Sequence, residues 1–362
     1  MTIEADILFQ PVQLGPLHVP NRVVMAPMTR SQCPGGVPTA QVAAYYGRRA
    51  ANGVGLIITE GVLIDDPVAG GYPDCPVLFG AAALQGWREV IQTVHAAGGR
   101  IMPQIWHVGE IHRLGEPPNP EFPGVGPSDV VEGDRLLVRA LTEADIHRLI
   151  DGYASAARNA KEIGFDGVEI HGAHGYLIDQ FLWERTNRRS DRYGGSFDRR
   201  LRFAVEVTVA VRAAVGPDFP VVFRFSQWKP QDYGARLAES PAALSDLLMP
   251  LKEAGVTIFH ASNRRYQEPE FPGSNLNLAG WTKMITGCPT ITVGSIGLDS
   301  ESWSGANPAG ITPLLERLGR HEFDLIAVGR ALLADYAWAR KIREGRSADL
   351  LPYTKEALKT LN

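Results

Sequence analysis

Eight short apolar, β-rich runs punctuate the chain: Val23 to Met28, Leu56 to Val62, Ile101 to Trp106, Gly167 to His171, Val221 to Ser226, Ile258 to Ser262, Thr290 to Gly294 and Leu325 to Val328. Most are separated by stretches in which apolar residues recur three and four positions apart, as in Ile146 to Ile163 and Leu201 to Val215. That spacing marks one face of a helix. Strand alternating with helix implies a parallel sheet, and runs that are apolar on both faces suit strands covered on both sides. Eight strand-helix units over this length predict an α/β fold, a closed (β/α)8 TIM barrel in preference to an open doubly wound sheet. Helix punctuation agrees in phase: Thr142-Glu-Ala-Asp145 reads as a capping box, and Gly98-Gly99 and Gly164 sit where helices should stop before the next strand.

Two segments interrupt the rhythm, 109–140 after the third run and 263–280 after the sixth. Both follow strand carboxyl ends, so both are expected over the face where barrels keep their sites, as lids or substrate walls. Neither resembles a flexible linker, and residues 1–362 are read as one barrel domain.

The chain has 362 residues, 44% hydrophobic and 21% charged, enough to bury a large core. Thirty-six basic against forty acidic residues give a net charge of -4, which lacks the basic excess that nucleic-acid or anionic-membrane partners call for. The amino terminus has no basic region followed by an apolar core, and no run approaches the roughly 18 apolar residues of a membrane span. Three scattered cysteines, Cys33, Cys75 and Cys288, support neither a disulfide framework nor an iron–sulfur or zinc cluster. A reducing cytoplasm is the expected compartment.

Chemistry concentrates where the strands end. His171-Gly-Ala-His174-Gly-Tyr176 places two imidazoles and a phenol after the fourth run. Imidazoles can hold a developing oxyanion and a phenol can deliver a proton, although histidines so placed also serve as structural residues or metal ligands. Arg224, inside Val-Val-Phe-Arg-Phe, is costly to desolvate unless it faces an anion, a strong acceptor or a buried acid. Gly294-Ser295 and Gly329-Arg330 end the seventh and eighth runs, where barrels often bind phosphate, though a glycine after a strand is also an ordinary turn. Gln104 offers a donor and an acceptor, which matches a flavin pyrimidine edge; a buried amide bonded to backbone is the plainer alternative. No G-x-G-x-x-G follows an early strand, so a Rossmann domain has no support.

Together, Pro20-Asn-Arg-Val-Val-Met-Ala-Pro-Met-Thr-Arg30, Gln104-Ile-Trp-His-Val-Gly109, His171 to Leu182, Asn187 to Ser196 and Gly329-Arg330 resemble the Old Yellow Enzyme family of FMN-dependent ene-reductases, along most of the chain. The resemblance implies a barrel with Pro27, Met28 and Thr29 along the flavin, Thr29 near its O4 and N5 edge, and Gly61 approaching through backbone. Gln104 would bond the pyrimidine edge, Arg224 would sit by N1 and O2, and Gly294, Ser295, Gly329 and Arg330 would hold the phosphate. His171 and His174 would bind the carbonyl or nitro oxygen of an electron-poor alkene, Tyr176 would protonate it, and Tyr72 and Trp106 would shape the pocket. NADPH or NADH would be the reductant and no metal is implied; monomer and homo-oligomer both remain open. Glu110 stands where many relatives carry Arg, Arg199 where Asn is common, and the loop from Asn263 to Phe271 departs from the well-studied members.

Overall fold

A computed structural model describes residues 5–362. Eight parallel strands close into a barrel: β1 (Val23–Met25), β2 (Leu56–Leu63), β3 (Arg100–Trp106), β4 (Val168–Gly172), β5 (Val221–Ser226), β6 (Ile258–Ser262), β7 (Thr290–Val293) and β8 (Leu325–Val328). Each pairs with the next, and β8 returns to β1 through Ile326 opposite Val23 and Val328 opposite Met25. The expected runs become strands, with shifts of a single residue at some ends and one larger shortening that has a clear cause. The first ends at Met25 instead of Met28, because Pro27 has no N–H for the ladder. The chain there turns away, with the Arg30 and Ser31 N–H groups donating to the Glu60 carboxylate at 2.8 and 3.1 Å.

Helices fill the outer layer. Glu143–Ile163 starts with the expected capping box, in which the Thr142 hydroxyl accepts from Asp145 N–H and the Asp145 carboxylate accepts from Thr142 N–H. It stops at Gly164, whose φ of 102° lies in the left-handed region that glycine adopts without strain. Phe197–Val215 lies in the connection from β4 to β5, and Pro241–Glu253 in that from β5 to β6. The 109–140 segment carries a small sheet, in which Arg135–Ala140 lies between Gly124–Gly126 and Val130–Glu132. The 263–280 segment is shorter than the sequence implies, since Asn277 already caps the helix Leu278–Thr286 by accepting from Gly280 N–H.

The barrel interior changes character along its axis. Its lower part is apolar, with Val24, Leu56, Ile58, Met102, Val222 and Ile258 packed together. A hairpin of Val12–Leu14 and Leu17–Val19 plugs that end with Leu14, Leu17 and Val19. Burying each such side chain stabilises the fold by about 1.5–3 kcal/mol. The two-residue strand period then carries the same inward face from Met102 to Gln104, from Val222 to Arg224 and from Ile258 to His260. These buried polar side chains sit on the opposite, carboxyl-terminal side. The plug closes the apolar end, and the polar layer lies on the side where a site can be built. Among the described residues no helix is long and apolar enough to cross a membrane.

Candidate active site

A cavity of about 560 Å³ opens over the carboxyl ends of the strands. Pro27, Met28, Thr29, Tyr72, Gln104, Trp106, His171, His174, Tyr176, Arg224, Gly294, Ser295, Gly329 and Arg330 all line it. Gly61 does not. A Cβ built on Gly61 would lie 2.1 Å from Trp106 Cε3, so its missing side chain makes room for the indole. The indole in turn forms a wall, stacked at 5.9 Å on Tyr72 and edge-on at 4.8 Å to Tyr176.

The loop leaving β4 sets the two imidazoles and the phenol at one end. The Ala173 N–H donates to His171 Nδ1 at 3.3 Å. Burial, with the positive charge of Arg224 adding to it, holds the His171 pKa well below the usual imidazole value, and the ring is neutral. A neutral ring that accepts at Nδ1 carries its proton on Nε2, which leaves His171 a donor. His174 takes a left-handed φ of 61°, held by its N–H on Ser226 Oγ at 3.1 Å and by Nε2 at 2.9 Å from Ser262 Oγ. Its pKa is depressed by the same causes, burial first and then Arg224. The two rings lie 5.3 Å apart and nearly perpendicular. Tyr176 sits 5.1 Å from the His171 ring, with its hydroxyl 3.4 Å from that of Tyr72. Burial, and then proximity to Tyr72, pushes the phenol pKa up, so it keeps its proton throughout the neutral range.

The barrel side of the cavity is cationic. Arg224 is only 6% exposed, its Nε has no partner, and it forms no ion pair among the described residues. Its strand register places it between His171 on β4 and His260 on β6. The buried acid that would have explained it is not bonded to it. Glu169 instead accepts from Gln104 Nε2 at 2.8 Å and contacts His260 Nδ1 at 2.7 Å. An unpaired guanidinium facing a cavity is the donor set for an anionic or acceptor-rich ligand.

The model of the NADH:flavin oxidoreductase / NADH oxidase family matches residues 7–349. The chain belongs to this family, that of the Old Yellow Enzymes. It is 37% identical over 95% of its length to an NADH oxidase of Thermoanaerobacter brockii, 52% of which is covered. It is 44% identical over 59% of its length to a putative 12-oxophytodienoate reductase 2 of Oryza sativa subsp. japonica, 57% of which is covered. The chain thus spans little more than half the length of these curated relatives. Among solved structures it resembles morphinone reductase in complex with tetrahydroNAD, with 33% identity, a TM-score of 0.79 and coverage of 94% of this chain and 91% of that one. It also resembles the old yellow enzyme homologue from Zymomonas mobilis, with 29% identity, a TM-score of 0.80 and coverage of 98% and 96%.

In this Old Yellow Enzyme the far end of the cavity is built from the turns after β7 and β8. The Arg330 guanidinium donates to Ser295 Oγ at 3.2 Å and to the Ser300 carbonyl at 2.8 Å, and also to the Ser302 carbonyl. A side chain on Gly294 would press on Asn263 O at 2.8 Å and Tyr266 N at 2.9 Å. Gly329 is different: a side chain there would meet Met28 Sδ at 3.5 Å and Ala26 Cβ at 3.8 Å, in ordinary van der Waals contact.

The cavity also holds residues that strand-end reasoning did not select. Ser262 meets His174, and Trp228 packs 4.7 Å from the His174 ring while its Nε1 donates to the Ser262 carbonyl at 3.0 Å. Ser262 was visible as the end of its run; Trp228 lies in a loop with no periodic signal. At the rim, the Arg264 guanidinium stacks 3.5 Å over Tyr233. Glu110, one of the departures from the family pattern, donates its N–H to Gln180 Oε1 at 3.1 Å, and burial raises its carboxyl pKa.

Proposed function

We propose that this protein is an FMN-dependent oxidoreductase that uses NADH or NADPH to reduce the activated C=C bond of α,β-unsaturated carbonyl or nitro compounds. The observation that carries the reading is Arg224, a buried cation with no protein partner, beside a neutral donor imidazole at His171 and a protonated phenol at Tyr176. The residues present fit a flavin. An unpaired cation suits the ring edge that gains charge on reduction, Gln104 lines the same cavity, and Gly329 and Arg330 line its far end. Pro27, Met28 and Thr29 would flank the ring. Gly294, Ser295, Gly329 and Arg330 would hold the phosphate. The insertions at 109–140 and 263–280 would wall the one FMN-binding barrel.

Bound FMN supplies the hydride. The chain's own residues do the rest. His171 Nε2–H donates to the carbonyl or nitro oxygen and draws electron density from the conjugated bond. His174 offers a second donor, directly or through the Ser262 hydroxyl 2.9 Å from it. Both imidazoles are neutral and act without adding positive charge beside Arg224. Tyr176 holds its proton and delivers it to the α-carbon. Trp106 packs edge-on against the Tyr176 ring and the Tyr72 hydroxyl lies 3.4 Å from that of Tyr176, so both border that transfer. A small-molecule alkene is the substrate partner.

The test is turnover. Protein reconstituted with FMN and supplied with NADPH or NADH is expected to convert cyclohexenone or a nitroalkene to the saturated product, measured by gas chromatography. In D2O the product is expected to carry deuterium at the α-carbon, from the exchanged Tyr176 hydroxyl. Reconstituted protein that yields no saturated product from either class contradicts the reading.

A further inference from the structure

Beneath the cavity floor lies a carboxylate that none of the steps above uses. Glu169 is fully buried in the barrel, with Gln104 Nε2 at 2.8 Å from one oxygen and His260 Nδ1 at 2.7 Å from the other. A carboxylate has no proton to give, so each contact dictates how its partner is turned. Gln104 must direct its –NH2 end to Glu169, which leaves Oε1 as the end for the cavity that Gln104 lines. His260 must carry a proton on Nδ1. Burial keeps its pKa below the usual imidazole value, so it is neutral, and its Nε2 is buried without a partner.

The same carboxylate is the one whose field bears on Arg224. Arg224 is paired in register with His260, and Gln104 with Glu169, so all four side chains share the polar upper layer of the barrel. No carboxylate is in ion-pair contact with that guanidinium among the described residues, so Glu169 acts on it through space.

We propose that Glu169 is a positioning residue for the cofactor: it turns the Gln104 carbonyl toward an N–H donor of the bound ring and supplies the counter-charge to Arg224. One buried group thereby sets both polar contacts at the pyrimidine end. The inference rests on the FMN reading above and deepens it. An amide left without Glu169 has no reason to prefer its acceptor end, and Arg224 without Glu169 projects its full charge onto the ligand.

Two readouts separate this role from a merely structural one: the FMN dissociation constant of the apoprotein, by fluorescence quenching, and the two-electron midpoint potential of the bound flavin. Glu169→Gln keeps the shape and removes the charge. It is expected to weaken FMN binding at least tenfold and to favour the reduced flavin about tenfold, a rise of about 30 mV for two electrons. Glu169→Asp keeps the charge and shortens the reach, and is expected to weaken FMN binding with the potential unmoved. A Glu169→Gln protein with wild-type affinity and potential, or with a lowered potential, overturns the proposal.

A second measurement needs no substitution. Wild-type apoprotein is expected to bind N3-methyl-FMN, which lacks the ring N–H, at least tenfold more weakly than FMN; equal affinity overturns the proposal. Wild-type protein that binds no FMN at all overturns the functional reading itself, an outcome distinct from an unmoved Glu169→Gln.

Discussion

Lys229 Nζ lies 2.8 Å from Asp179 Oδ1, with both side chains fully buried. The ammonium also donates to the carbonyls of Ser226 and Gln227, at 3.3 and 3.1 Å, and the other Asp179 oxygen accepts from Gly175 N–H at 2.7 Å. This pair therefore ties the end of β5 to the loop that carries His174 and Tyr176. His174 there has a left-handed φ of 61°, which a residue other than glycine holds only where surrounding contacts impose it, and Gly175 follows at 71° without strain.

Asp179→Asn leaves a buried ammonium without its counter-charge. Urea denaturation is expected to show a loss of about 3–5 kcal/mol. Replacing both partners, as Asp179→Leu with Lys229→Met, removes both charges and is expected to cost less stability than either single change. Enone turnover should fall in all of these variants, because the loop that holds the imidazoles loses its anchor.

Tyr176→Phe removes the proton donor and keeps the ring that packs on Trp106 and His171. General-acid help of this kind contributes about 10²–10⁴ in rate. Rapid mixing is expected to show alkene reduction slowed by that order while reduction of the bound flavin by NADPH or NADH is unchanged. An equal slowing of both half-reactions would remove Tyr176 from the proton-transfer role.

Glu60 gives the fold a pH dependence of predictable sign. Its carboxyl is almost wholly buried, and desolvation raises its pKa from 4.5 to about 7, against the opposing N–H donations from Arg30 and Ser31. Between those two values the folded state binds more protons than the unfolded state, so stability falls as pH rises across the window and levels off above it. The loss is up to about 3 kcal/mol, at 1.36 kcal/mol per unit. Glu60→Gln keeps an acceptor for the two N–H groups and cannot ionise. Its unfolding free energy is expected to lack this fall and to exceed that of the wild type at pH 8.

Gly61→Ala places a methyl against the Trp106 ring, at 2.1 Å before relaxation. Overpacking of this kind costs about 1–3 kcal/mol. The variant is expected to show a lowered melting temperature together with a change in indole fluorescence, since the ring must move. The same substitution would leave Trp106 untouched if Gly61 only bordered a ligand.

The barrel was legible because both of its layers are periodic. Apolar runs such as Val221 to Ser226 and Ile258 to Ser262 end where the strands end, and Thr142 and Asp145 cap their helix as spaced. The convergence of His171, Arg224 and Gln104 followed from that geometry alone, because the carboxyl ends of barrel strands meet on one face. What stayed hidden are contacts between residues that no period links. His174 and Ser262 are 88 positions apart, and Glu169 and His260 are 91 apart. Glu169 did leave a trace, as a polar residue two positions before His171 and so on the same strand face. Gly61 shows the opposite case, a glycine whose space is taken by Trp106, a neighbour that its own sequence surroundings do not reveal.

The most direct measurement is anaerobic stopped-flow on the FMN-loaded protein. The flavin absorbance is followed first against NADPH and NADH, and then, once reduced, against a panel of enones and nitroalkenes. The account predicts bleaching by a nicotinamide nucleotide and recovery of the oxidised spectrum on mixing with at least one electron-poor alkene. Flavin that is reduced and then stays reduced against the whole panel would contradict it.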